Sequence, residues 1–226
     1  MRKLKLVVGI GGASGAPYAR RLLEHLTERD DVEPAVVFSV NGRQIWAQEV
    51  GTDPRSYGFP IYGHKDFQAP FASGSAGYRT MVVLPCSASG MARIAQGVSD
   101  DLLGRAAEVV LKEQGKLILC VRETPLSQVH LRAALLAAEA GAMVMPASPS
   151  FYSNPQSMDD LVDTVVARVL DRIGLDNELM ERWGSQPAPL RREAGARAPA
   201  RVASGEDAGP AIAGTISPFG RRGEGS

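Results

Sequence analysis

The stretch Leu4-Lys5-Leu6-Val7-Val8-Gly9-Ile10-Gly11-Gly12-Ala13-Ser14-Gly15, running into Ala16-Pro17-Tyr18-Ala19-Arg20-Arg21-Leu22-Leu23-Glu24, decides the fold. Leu4 to Ile10 is a short, mostly apolar run ended by glycines, the pattern of a parallel strand covered on both faces. Over residues 16–29, Ala19, Leu22, Leu23 and Leu26 fall on one helical face, with Arg20, Arg21 and Glu24 elsewhere. A strand, a glycine turn and a helix in succession open a βαβ unit.

Working outward, further apolar runs stand at Ala35-Val36-Val37-Phe38, Met81-Val82-Val83-Leu84, Ile118-Leu119-Cys120-Val121 and Ala142-Met143-Val144-Met145. Helices are expected between them near 42–49, 88–97, 101–114 and 126–140. A last one over 157–173 has Ser157 as its N-cap and Asp159 and Asp160 in its first turn, where the helix dipole favours acids. This alternation predicts an α/β, Rossmann-like (flavodoxin-like) doubly wound parallel sheet in three layers. Residues 51–80 are rich in Gly, Pro, Ser and aromatics and show no period. A connection that long inside a compact domain is functional or disordered. The expected organisation is one α/β domain over 1–185, then a disordered Ala/Pro/Gly-rich tail over 186–226 without a catalytic role.

With 226 residues and 44% hydrophobic content, the chain can build one α/β domain with a substantial core. Lys+Arg and Asp+Glu both number 25, so no global basic field exists to hold nucleic acid or an anionic membrane. Two cysteines and three scattered histidines offer neither a disulfide framework nor metal-ligand spacing, so no metal is expected. The basic start followed by an apolar run superficially resembles a signal peptide, but it stops at Gly11-Gly12. No run approaches the ~20 apolar residues of a membrane span. The expectation is a soluble, cytoplasmic protein.

Ligands of open parallel sheets gather outside the carboxyl ends of the strands. After the first strand, Gly11 to Gly15 enters a helix, and backbone N–H groups and the helix dipole there can hold phosphate; a plain tight turn reads equally well. The loop lacks the third glycine of a dinucleotide fingerprint, and Ser39 and Asn41 after strand two provide no acid for a ribose. A mononucleotide such as FMN therefore fits better than NAD. Pro85-Cys86-Ser87-Ala88-Ser89-Gly90 forms a second cradle, in which Cys86 reads as buried packing rather than a nucleophile. Arg122-Glu123-Thr124-Pro125 places a charged pair at a strand end, suited to phosphate binding and proton transfer or equally to a structural salt bridge. Arg105 and Lys112 lie two turns apart on one helix face. By spacing alone, a solvated face with Glu108 and Glu113 accounts for them better.

Several separate segments together resemble the UbiX family of flavin prenyltransferases. They are Gly12-Ala13-Ser14-Gly15-Ala16-Pro17-Tyr18, Pro85-Cys86-Ser87, Asp101 to Ala107, Leu111-Lys112-Glu113, Arg122 to Leu126, Ala147 to Gln156, and Asp160 to Arg168. The resemblance covers about residues 4–184. It implies transfer of a dimethylallyl group from dimethylallyl monophosphate to N5 and C6 of reduced FMN, for use by UbiD-type decarboxylases. It also implies a homo-oligomer, typically a dodecamer, with active sites where subunits meet, and no metal.

Carried over by position, the resemblance implies flavin contacts at Gly12, Ala13, Ser14, Ser39, Ser87, Ser89, Met91 and Arg122. Arg105, Lys112, Tyr152, Arg168 and Glu123 match the allyl-phosphate set, and Ser14, Glu49 and Glu123 the catalytic groups. Cations and a proton donor must stabilise charge on the departing phosphate, a role for Glu49 if its acidity is weakened by burial. Aromatic faces can shield an allylic cation. Trp183 and Phe67 stand where the family often has tryptophan, although core packing explains them too. Gly11 stands where the family usually has Thr, a change expected to loosen the loop. Two other functions are weighed: a cysteine decarboxylase flavoprotein, which would need an early His base absent here, and an FMN-binding accessory subunit without turnover.

Overall fold

The computed structural model describes residues 3–184. The expected tail over 186–226 lies outside the described residues. Six parallel strands, β1 (Leu4–Ile10), β2 (Val32–Phe38), β3 (Ile61–Tyr62), β4 (Thr80–Cys86), β5 (Lys116–Val121) and β6 (Met143–Pro146), form one sheet in the order β3-β2-β1-β4-β5-β6. The helices are α1 (Ala16–Thr27), α2 (Val40–Glu49), α3 (Ala88–Ala95), α4 (Leu102–Lys112), α5 (Gln128–Glu139) and α6 (Met158–Ile173). Among the described residues, no helix is long and apolar enough to cross a membrane.

Two cores sandwich the sheet and establish the three layers. Leu6, Val8 and Ile10 point into one with Leu22, Leu23 and Leu26 of α1 and Val165, Val166 and Val169 of α6. Val7, Met81 and Val83 point into the other with Met91 of α3 and Leu103, Ala106 and Val110 of α4. Alternating β1 residues thus feed opposite cores, as the pleat requires. The strands read as nearly continuous apolar runs because both their faces are covered. Ser157 accepts a hydrogen bond from the Asp160 amide, and Asp160 returns one from the Ser157 amide, so the expected cap of α6 is present as a capping box.

The segment 51–80 is more ordered than its composition suggests. It holds three 3₁₀ turns (Pro54–Tyr57, Pro70–Ala72, Gly74–Ala76) and the two-residue β3, which pairs Ile61 with Val36 and Tyr62 with Val37. Phe71 is 1% exposed and meets Tyr62 and Tyr78 edge to face, so aromatic packing rather than regular hydrogen bonding anchors the segment.

In this strand order the chain runs from β1 outward to β2 on one side and returns to β4 on the other. The crevice between the carboxyl ends of β1 and β4 is the topological switch point, where such sheets bind ligands.

Candidate active site

A cavity of about 380 Å³ opens at that switch point, within the range of cofactor sites. Its floor is the backbone of Gly11 and Gly12 after β1 and the Cys86-Ser87 turn after β4. Two helices begin at its wall. Ser39 caps α2 by accepting a hydrogen bond from the Gly42 amide at 3.0 Å, and Ser87 caps α3 by accepting one from the Gly90 amide at 3.1 Å. Ser87 and Ser89 hydroxyls lie 3.3 Å apart. Positive helix ends, free amides and hydroxyls therefore converge on one space, which suits a phosphate.

Glycines make this convergence sterically possible. A side chain on Gly42 would begin 2.2 Å from the Ile10 carbonyl oxygen, so only glycine lets the first turn of α2 rest against the end of β1. The Gly11 amide donates to the Pro85 carbonyl at 3.0 Å, and a Cβ there would stand 2.5 Å from that oxygen. Gly11 was expected to loosen the loop. Instead it lets β1 and β4 close on each other, because the backbone approach fills the space a side chain would take.

Behind the cavity, Glu49 crosses to the start of α1. Its Oε2 accepts hydrogen bonds from the Gly15 and Ala16 amides, both at 2.8 Å. Desolvation pushes its carboxyl up, but hydrogen bonds from the Ser14 hydroxyl and those two amides, with the Arg122 charge nearby, outweigh it and hold the group below its ordinary range. This corrects the expectation of a weakened acid: at neutral pH Glu49 is a firmly ionised carboxylate filling the anion site at the N-terminus of α1. Arg122 donates from Nε to the Ser14 carbonyl at 2.8 Å, fixing the same loop from the β5 side. Glu123 is not its salt-bridge partner; its Oε1 accepts from the Thr124 amide at 3.1 Å.

The other expected residues separate clearly. Gly12, Ser39, Ser87 and Ser89 line the cavity. Ser14 is exposed on the rim loop with Glu49 and Arg122, and Ala13 is buried beneath it. Met91 departs from expectation: its side chain is 1% exposed within the α3–α4 core, because its position on α3 turns it toward the sheet. Cys86 is buried and burial pushes its thiol up to about 12, in keeping with packing rather than nucleophilic attack.

The allyl-phosphate set is not gathered within one chain. Arg105 and Lys112 lie on α4, on one face of the sheet, whereas Arg168 lies on α6, on the other. Arg105 donates to the Ala72 carbonyl and pairs with Glu108 at 3.1 Å, and Lys112 pairs with Glu113 at 2.6 Å. Tyr152 is exposed and meets the exposed Trp183 edge to face at 5.4 Å. Phe67 is exposed as well.

Sequence reasoning missed part of the cavity wall. The Leu102 amide donates to the His64 carbonyl at 2.7 Å, and Lys65 Nζ donates to the Asp100 carbonyl at 2.7 Å. These bonds stitch segment 51–80 to the α3–α4 turn and place His64, Lys65, Arg93 and Asp100 at the rim. The length of that connection was the only signal in the sequence. Among the described residues, no group of three or more His, Cys, Asp or Glu is gathered as for a metal ion.

The family model described as Flavoprotein matches residues 1–170. Flavin prenyltransferase UbiX of Thermoplasma acidophilum is 43% identical over 183 residues, covering 80% of this chain and all of that protein. The chain belongs to the UbiX flavin prenyltransferase family. Among solved members, AnUbiX in complex with FMN and dimethylallyl pyrophosphate superposes with a TM-score of 0.78 at 38% identity, covering 82% of this chain and 100% of that one. A dodecameric FMN-dependent UbiX-like decarboxylase from Escherichia coli O157:H7 superposes with a TM-score of 0.76 at 41% identity, covering 79% and 98%. Family membership accounts for the strand-end cavity built from serines, glycines and two helix starts.

Proposed function

We infer that this chain is a flavin prenyltransferase that joins a dimethylallyl group from an allylic phosphate to reduced FMN. The observation that carries this reading is the convergence of the capped starts of α2 and α3 on the cavity beside Gly11 and Gly12. FMN fits this donor set: its phosphate matches the hydroxyls of Ser39, Ser87 and Ser89 at the starts of α2 and α3, and its ring system the floor of Gly11 and Gly12. Bound and reduced, it would supply the electron-rich N5 and C6 centres that take up the dimethylallyl group. AnUbiX, which holds FMN and dimethylallyl pyrophosphate, supports the same pair of ligands here.

The allylic C–O bond breaks as the phosphate departs with the electron pair. Arg105, Lys112 and Arg168 offset the charge that develops on its oxygens, and Tyr152 donates a hydrogen bond to them. Glu49, ionised and hydrogen-bonded to the α1 amides, acts as proton acceptor rather than donor, with the Ser14 hydroxyl passing the proton to it. Arg122 holds the Ser14 backbone so that this hydroxyl stays beside the flavin. Because α4 and α6 lie on opposite faces of the sheet, a complete allyl-phosphate site needs more than one copy of the chain. The dodecameric relative supports assembly into a homo-oligomer of that kind. The product would serve a UbiD-type decarboxylase.

Anaerobic incubation of the purified protein with reduced FMN and dimethylallyl monophosphate should yield FMN heavier by one five-carbon unit in a mass spectrum. FMN bound without that product would overturn prenyl transfer and leave a flavin-binding subunit.

A further inference from the structure

An ion pair along one helix face between side chains as open as Arg105 and Glu108, 36% and 39% exposed, contributes little to stability. Two hydrogen bonds from outside α4 set this pair apart. Glu108 Oε2, which takes Arg105 Nη1 at 3.1 Å, also accepts from the Ser99 hydroxyl at 2.6 Å. The Ser99 hydroxyl, and after it Arg105, outweigh desolvation and hold the Glu108 carboxyl below its ordinary range, so it is a carboxylate at neutral pH. On another edge of the guanidinium, Arg105 Nε donates to the Ala72 carbonyl at 3.1 Å. Nε and Nη1 are both taken, and Nη2 makes no hydrogen bond or ion pair among the described residues.

Both anchors trace back to the irregular segment 51–80. Ala72 ends its Pro70–Ala72 turn. Ser99 stands between Val98 and Asp100, which line the strand-end cavity, in the turn that the same segment fastens. Lys65 Nζ donates to the Asp100 carbonyl and the Leu102 amide to the His64 carbonyl, each at 2.7 Å, while Arg93 of α3 pairs with the Asp100 carboxylate. A free arginine side chain loses rotamer freedom each time it is fixed on a ligand, and one already held at two edges loses far less.

We propose that Glu108 and Ser99 are positioning residues for Arg105, and that with the Ala72 carbonyl they hold its guanidinium so that Nη2 is presented to the departing phosphate. This rests on the assignment of Arg105 to the donor set. It gives segment 51–80 a task in the reaction: one segment walls the cavity through His64 and Lys65 and braces the cation, directly through Ala72 and indirectly through Ser99 and Glu108. Neither Ser99 nor Glu108 touches the reacting atoms, and each acts only through Arg105.

The test compares the full-length wild type with Glu108→Ala, Glu108→Gln and Ser99→Ala, each alone and combined with Arg105→Ala. Calorimetric titration with dimethylallyl monophosphate, with oxidised FMN present so that no transfer occurs, should show donor binding weakened about tenfold in Glu108→Ala and about threefold in Ser99→Ala. Glu108→Gln keeps an acceptor oxygen and should recover most of the loss. FMN affinity should stay at the wild-type value, and Tm within about 2 °C of it, because the pair is half open to water. In the Arg105→Ala background none of the three changes should weaken donor binding further, and kcat/KM with reduced FMN should follow the same pattern. Donor binding in Glu108→Ala equal to wild type, or equal losses with and without Arg105, would overturn the proposal and leave prenyl transfer standing. If donor binding depends on Glu108 through Arg105 but reduced FMN is not prenylated, the positioning role stands and the prenyl-transfer reading fails. A wild type that does not bind the donor overturns both.

Discussion

Replacing Asp163 with alanine tests the joint between α1 and α6, the helices that carry the flavin loop and Arg168. The Asp163 side chain is 8% exposed, and its carboxylate takes both the Nε and Nη2 of Arg21, with His25 Nε2 at 3.4 Å. Removing one member of a buried ion pair costs about 3–5 kcal/mol. Here the figure is lower, because Arg21 is 21% exposed and keeps Glu24 at 2.7 Å. About 2 kcal/mol remains, which corresponds to a fall in Tm of about 4–8 °C for a domain of this size. Thermal unfolding at fixed protein concentration and pH 7 measures it, and a cycle with Arg21→Ala should give a coupling of at least about 1 kcal/mol.

The pH dependence has a definite sign. Burial pushes the Asp163 carboxyl up, but hydrogen bonds from His25 and Arg21 outweigh it and hold the folded value below the ordinary range. The stabilisation is therefore complete above the ordinary carboxylate pKa and lost as pH falls through the lower folded value. The gap between wild type and Asp163→Ala should persist at pH 7 and pH 5 and shrink below about pH 4. A Tm within about 1 °C of wild type at pH 7, or strict additivity with Arg21→Ala, would refute the reasoning.

Three other outcomes follow from the site. Gly42→Ala forces a Cβ to within 2.2 Å of the Ile10 carbonyl and should destabilise the fold by about 1–3 kcal/mol and weaken FMN binding at least about tenfold, read by flavin fluorescence. Glu49→Gln should keep FMN but slow prenyl transfer by about tenfold or more, because the amide cannot accept a proton; unchanged turnover in single-turnover mass spectrometry would remove Glu49 from the proton path. Cys86 and Cys120 are buried with thiols pushed up to about 12, so neither should react with iodoacetamide at pH 8 until the protein is unfolded.

The elements legible in the sequence were those with a strong local period. The β1–glycine–α1 unit and the α4 face around Leu102, Leu103, Ala106 and Val110 are recovered by the structure within a few residues. β3 was not legible, because two residues carry no period and exist as a strand only through pairing with Val36 and Val37. Met91 was misjudged because proximity to Ser87 in sequence does not say which face of α3 a side chain takes.

From sequence alone came the doubly wound class, the serine- and glycine-rich strand ends, and a family resemblance that the relatives bear out. These are properties of local pattern and motif order, which a linear chain displays directly. The tertiary structure decided the rest. It joined Glu49 to amides 33 and 34 residues away and so made it a carboxylate rather than a weakened acid. It turned Gly11 from a loose link into a close backbone contact and placed Arg105 and Arg168 on opposite layers. Charge state and contact depend on which groups surround a residue in space, and only the packed sheet and helices set those neighbours.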